Sequence, residues 1–203
     1  MTSWSFEPGH TAAVFTARHM MVTKVTGAFK DVHGRVEWDF PSCMATKFEG
    51  VIEAGRLWTG EPTRDAHLRS ADFFDVENHP EIRFAGRFIE RLGDIDFKAV
   101  AELTIRGETE EVGLDVSYLG QWTTPYWEGE VNLGEMTRIG FSLAGRVNRH
   151  DWGVSWNDEL PGGGVVVSNW VDLAIDVEAI RDDDLRTVGL DDAVYRPESA
   201  ARH

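Results

Sequence analysis

Apolar and polar residues alternate one by one along most of this chain, and that period of two restricts it to half-buried β-strands. In the clearest case Val171, Leu173, Ile175 and Val177 alternate with Asp172, Ala174, Asp176 and Glu178. Val36, Trp38 and Phe40 form one such face, and Ala99, Ala101, Leu103 and Ile105 form another. Val112, Leu114, Val116 and Tyr118 give a third, and Ile139, Phe141, Leu143 and Val147 a fourth. Short turns separate the strands. Leu92-Gly93-Asp94 and Ile105-Arg106-Gly107-Glu108 read as tight hairpins, and Lys30 to Gly34 as a break or bulge. Strands of this number and spacing, roughly eight, predict a closed or nearly closed antiparallel barrel.

Helical signals are few. Met20 to Thr26 is read as a short helical turn, and Glu61 to Phe74 as a helix with Pro62 in its first turn. Two stretches read as long loops. Gly120 to Glu135 carries Trp122, Pro125, Tyr126 and Trp127, and Asn157 to Gly164 carries Pro161 and a run of glycines. Either a lid over a barrel mouth or a packed surface loop fits them. A chain of 203 residues is one domain by default. The barrel is expected over 1–180, followed by a polar tail over 181–203. Within that tail Leu185, Val188, Leu190, Val194 and Tyr195 are suited to docking on the barrel or a second subunit.

Charge and composition limit the partners. A formal net charge of −15 repels nucleic acid and disfavours an anionic bilayer. Eight Trp imply a large apolar interior, an interface or a cavity wall. No apolar run approaches the roughly 18 residues of a membrane-spanning helix. The N-terminus shows no leader pattern, so a cytoplasmic location is expected. Cys43, the one cysteine, offers neither a disulfide nor metal spacing.

No nucleophile elbow, phosphate loop or zinc signature is present, and neither a catalytic residue, a metal nor a cofactor is expected. His10 and His19, nine positions apart on a strand, face opposite ways and share no metal. The densest polar cluster is Thr63-Arg64-Asp65-Ala66-His67-Leu68-Arg69. On a helix Arg64 and His67 share a face that suits a phosphate or carboxylate. Asp65 and Arg69 suit a local bridge. Arg149-His150-Asp151-Trp152 is either a rim charge beside a ligand head group or a salt bridge closing the barrel end.

Several motifs, in order, resemble the YceI-like family of polyisoprenoid-binding, lipocalin-like barrels. They are Pro8-Gly9-His10-Thr11 through His19, Val25-Thr26-Gly27-Ala28-Phe29, and Thr63 through Asp75. His79-Pro80-Glu81-Ile82-Arg83-Phe84, Leu103-Thr104-Ile105-Arg106-Gly107 and Asn148-Arg149-His150-Asp151-Trp152-Gly153 complete the series. The resemblance spans about Trp4 to Glu178. It implies an all-β fold, an eight-stranded antiparallel lipocalin-like barrel with one or two short helices. It also implies a homodimer, a family often secreted to the periplasm, and an interior holding a long apolar chain, an isoprenoid or fatty-chain lipid. Trp152 stands where the family more often has Phe.

On this reading Phe15, Phe29, Phe74, Phe84, Leu103, Leu114, Phe141 and Val171 line the interior. Arg64, His67 and Arg149 hold the polar end, with His19 and Trp152 as further ligand contacts. An enzyme acting on a lipophilic substrate is the alternative, and it requires His67 and Asp65 within hydrogen-bond reach of each other inside the pocket. A ligand-free structural dimer requires a barrel with no cavity.

Overall fold

The computed structural model describes residues 1–41 and 46–190; Cys43, Val194 and Tyr195 lie outside the described residues. The strands are β1 (Thr2–Phe6), β2 (Ala12–His19), β3 (Thr23–Phe29), β4 (Val32–Trp38) and β5 (Lys47–Glu53). After helix α1 (Pro62–Arg69) come β6 (Glu81–Arg91), β7 (Asp96–Ile105), β8 (Glu108–Glu128), β9 (Val131–Asn148) and β10 (Val167–Arg181). A last helix, α2 (Asp182–Thr187), ends the described chain.

All neighbouring strands are antiparallel, and β1-β4-β5-β6-β7-β8-β9-β10 closes on itself because β10 pairs back to β1. This is the eight-stranded barrel, with β2 and β3 as its two extra strands. The edge of β10 is shared. Ala179 to Arg181 pair with β1, whereas Val167 to Asp176 pair with β2. β1 and β2 therefore run end to end, and β4 and β3 follow them in the next position. Met20 to Thr26 is not helical. Val22 N donates to His19 O at 3.1 Å in a tight turn, and the β-branched Thr23, Val25 and Thr26 continue as β3.

Helix α1 begins where Pro62 needs no amide partner. The Glu61 carboxylate accepts from Thr63 N at 3.0 Å and Arg64 N at 2.6 Å. The helix covers the barrel beside β3, whose outer edge is met by Trp58: Ala28 and Trp58 exchange backbone hydrogen bonds of 2.9 and 3.0 Å.

The two ends of the barrel are packed differently. At one end Trp38 is fully buried against Phe88, Phe97, Tyr118 and Phe141, with ring centroids 4.9–5.5 Å apart. That aromatic plug makes this end solid. Towards α1 the inward residues of β10 change from buried Val177 to half-buried Ile175, Leu173 and Val171. Along β7, buried Phe97, Ala99 and Ala101 give way to half-buried Leu103 and Ile105. Space has opened inside the barrel at the α1 end.

Gly120 to Glu135 is a β8–β9 hairpin rather than a loop, with register shifts at Tyr118/Gly120 and Tyr126/Trp127, and it projects past Ser117, the last β8 residue paired with β7. It stands at the plugged end, so it is no lid over the opening. Beneath it Met136, Ile180 and Leu185 form a small second core, joined by Tyr126, Leu133, Val188 and Leu190. Helix α2 docks there.

Cross-strand glycines let the inner aromatics lie flat on the sheet. A Cβ on Gly50 would stand 2.2 Å from His33 O and 2.4 Å from the Phe84 ring. Gly50→Ala is therefore expected to lower stability by about 1–3 kcal/mol, read from the urea midpoint.

Candidate functional site

The space at the α1 end is a cavity of about 220 Å³. Strand alternation supplies its wall, because every second residue of each strand points inward. Phe15, Phe29, Phe84, Leu103, Leu114, Phe141 and Val171 line it from the strands, as expected from the sequence. Phe74 and Trp152 line it from the segments that cross the α1 end. Phe29 is the hub of one wall, with Phe15 at 5.4 Å and Phe74 edge-on at 5.5 Å. Trp152 is fixed by its indole N–H, which donates to Leu103 O at 2.7 Å. Leu68 of α1 and Phe73 also line the cavity. Within the polar motif Leu68 is the one large apolar side chain of α1, and that was the available signal; it shares a helix face with Arg64 and Asp65.

Among the described residues lining this cavity only Arg149 is ionisable, and it does not offer its charge to the interior. Its Nε donates to Ser168 O at 2.9 Å, its Nη1 to Val154 O at 2.6 Å and Trp156 O at 2.9 Å, and its Nη2 to Val167 O at 3.3 Å. Burial pushes the guanidinium below its ordinary pKa, and the carbonyl dipoles take the place of a carboxylate. Arg149 thus ties the start of β10 to the 154–156 segment, as neither a rim charge nor a salt bridge.

The α1 cluster also faces away from the cavity. Asp65 accepts from Thr59 N at 2.9 Å and Thr59 Oγ1 at 2.5 Å, and Arg64 donates to Thr59 Oγ1 at 2.7 Å and Thr59 O at 2.9 Å. Arg69 donates to Gly55 O and Leu57 O, both at 2.7 Å. The expected Asp65–Arg69 bridge is replaced by a shared clamp on residues 55–59: the buried Asp65 carboxylate accepts from the Thr59 amide and hydroxyl, while the long Arg64 and Arg69 side chains donate to the carbonyls of that segment. His67 Nε2 lies 2.9 Å from Asp72 Oδ2, with its ring edge-on to Phe73 and Trp156. The His67–Asp65 contact that chemistry would require is not formed, and Arg64 and His67 lie outside the cavity wall. His19, the last residue of β2, pairs with Val167 at the cavity end of the barrel and stands beyond the wall itself.

The arrangement matches a known family. The YceI-like domain model fits residues 4–179, nearly all of the barrel. The chain belongs to the YceI-like family. A UPF0312 protein of Staphylococcus epidermidis is 31% identical over 178 residues, 88% of this chain and 97% of that one. The YCEI protein of Campylobacter jejuni superposes with a TM-score of 0.61 at 26% identity, covering 81% of this chain and 89% of that one. BcnA of Burkholderia cenocepacia shares the YceI-like fold with a TM-score of 0.65 at 17% identity, over 83% and 95% of the two chains. A polyisoprenoid binding domain of Saccharophagus degradans does so with a TM-score of 0.62 at 15% identity, over 89% and 99%.

Outside the cavity, the ligating atoms of Glu7, His10 and Glu178 lie within 4.8 Å of one another, but a cation is already present. Arg138 Nε sits 2.9 Å from Glu178 Oε1, so the group is an ion-pair cluster where β1 ends. The hydrogen bond and charge of Glu7, joined by Glu178, raise His10 above its ordinary 6.5. Burial, then the neighbouring Glu7, raises Glu178 above its ordinary 4.5. Both groups hold protons more tightly in the folded chain than in the unfolded one. Their stabilisation is complete below those ordinary values and is lost as pH climbs through the raised folded values. Stability should therefore fall as pH rises from about 4.5 through and beyond 6.5, and Glu178→Gln should flatten that fall in urea unfolding.

Proposed function

We propose that the YceI-like barrel of this chain binds and carries a long apolar molecule, an isoprenoid or fatty-chain lipid, in the cavity at its α1 end. The observation that supports this reading is the wall itself: about 220 Å³ of space bounded by aliphatic and aromatic groups, with its one cation bonded to carbonyls. A cavity of about 150 Å³ with such a lining already accepts an aromatic ring. Each methylene buried contributes about 0.8 kcal/mol, so a hydrocarbon chain needs no directional chemistry to bind. The likeness to a polyisoprenoid binding domain agrees with this substrate class. Among the described residues of the cavity wall, the catalytic alternative has no acid, base or nucleophile to recommend it.

Titration with farnesol against a bound lipophilic dye tests the proposal. Saturable, stoichiometric displacement is the expected result. Dye that is neither bound by the protein nor displaced by the alcohol speaks against it.

A second copy of the chain is the proposed partner of the β8–β9 arm. Leu119, Trp122 and Trp127 are 59%, 74% and 59% exposed there, on a strand that pairs only with β9 beyond Tyr118 among the described residues. Such an apolar edge calls for cover. Trp122→Asp should shift a dimer to monomer in light scattering, and a wild-type chain already monomeric contradicts the assignment.

A further inference from the structure

The β2–β3 hairpin ends in Met20, Met21 and Val22, which are 43%, 53% and 80% exposed. Met20 and Met21 both have left-handed backbones, with φ of 46° and 63°. A turn of this form favours Asn and Gly, because both central residues must take positive φ. Two large apolar side chains are thus held in solvent on a backbone that suits neither. Strain and apolar exposure in the same few residues point to a binding role rather than to folding.

The charge around this tip is unlike that of the rest of the chain. Asp and Glu number 35 in 203 residues, yet none occurs between Glu7 and Asp31. Arg18 and Lys24 are exposed and sit directly opposite each other behind the tip. Like charges so placed disfavour the hairpin, which leaves them suited to an external anion. The adjoining 157–166 segment, whose Val166 O accepts from Met20 N at 2.8 Å, adds exposed Asp158 and Glu159. The net charge of −15 resides largely elsewhere, and screening over about 8 Å at physiological ionic strength weakens its reach to a surface that the tip touches.

The hairpin is also at the right end of the molecule. His19 pairs with Val167, a residue of the cavity wall, so the tip lies beside the cavity rather than beside the aromatic plug.

We infer that the β2–β3 hairpin is a membrane-docking finger: Met20, Met21 and Val22 enter the interfacial zone of a phospholipid bilayer while Arg18 and Lys24 meet its phosphates. The apolar tip supplies the affinity, and the cations orient the barrel with its cavity end towards the lipid. The docking surface stands on its own residues; its use as a loading port rests on the apolar-ligand reading.

The test is co-sedimentation of the full chain with ligand-free vesicles, one set of phosphatidylcholine and one of equal phosphatidylcholine and phosphatidylglycerol. The wild type should bind both, more strongly when phosphatidylglycerol is present. Met20→Asn with Met21→Gly removes the apolar tip while relieving the turn, so the variant stays folded and should lose at least about tenfold in binding to both sets. Arg18→Gln with Lys24→Gln should abolish the preference for phosphatidylglycerol. Wild type that sediments with neither set, a tip variant that binds as well as wild type, or a cation variant with its preference intact would overturn the inference. The tip variant should still bind farnesol in solution. A failure of farnesol binding with vesicle binding preserved would instead count against the carrier reading alone.

Discussion

Leu173→Trp should weaken the binding of a farnesyl-length chain by about two orders of magnitude while leaving the barrel folded. Leu173 is half-buried on the inward face of β10, paired with Phe15 on one side and Gly145 on the other. It lines the cavity, so a larger side chain has space to enter without forcing its neighbours apart. An indole there excludes about four methylenes of the ligand. At about 0.8 kcal/mol each that is about 3 kcal/mol, or about a hundredfold in Kd. Far-UV circular dichroism and the urea midpoint report whether the fold persists, and isothermal titration reports the affinity. An unchanged affinity in a folded variant would mean that the chain does not occupy this part of the barrel.

Arg149→Met should lower the free energy of unfolding by about 3–5 kcal/mol, a large share of the roughly 5–15 kcal/mol of a typical domain. Arg149 is 5% exposed, and its loss leaves the carbonyls of Val154, Trp156, Val167 and Ser168 without this donor. Each buried carbonyl left unsatisfied costs about 1–3 kcal/mol before the surroundings relax. Met keeps the apolar stem, so packing changes little. Chemical denaturation followed by Trp fluorescence measures the effect. The opposite pattern, unchanged stability with weaker binding of an ionised lipid only, would return Arg149 to the ligand's head group.

The barrel was legible because each strand has one face in water and the other inside. Period two then fixes which residues point inward, and it placed Leu103, Phe141 and Val171 on the cavity wall. Space itself leaves no such trace: Val171 and Ala179 fall on the same face of β10, yet one is half-buried on the cavity wall and the other is fully buried away from it. The projecting β8–β9 hairpin was hidden for a related reason. Both of its faces are largely exposed, so no apolar–polar alternation marks it as sheet. The polar residues misled because their partners are distant backbone. Arg64, Asp65 and Arg69 read as a local cluster on one helix, but the groups they satisfy belong to residues 55–59. Arg149 bonds carbonyls up to nineteen positions away, a relation that no spacing rule contains.

Native mass spectrometry of the chain purified from its own host, with organic extraction of whatever it carries, tests the carrier reading most directly. The account predicts an adduct of several hundred daltons that extracts as an isoprenoid or fatty-chain lipid and that is missing from Leu173→Trp. Protein without an adduct that also rejects isoprenoids and fatty amides in titration would contradict it.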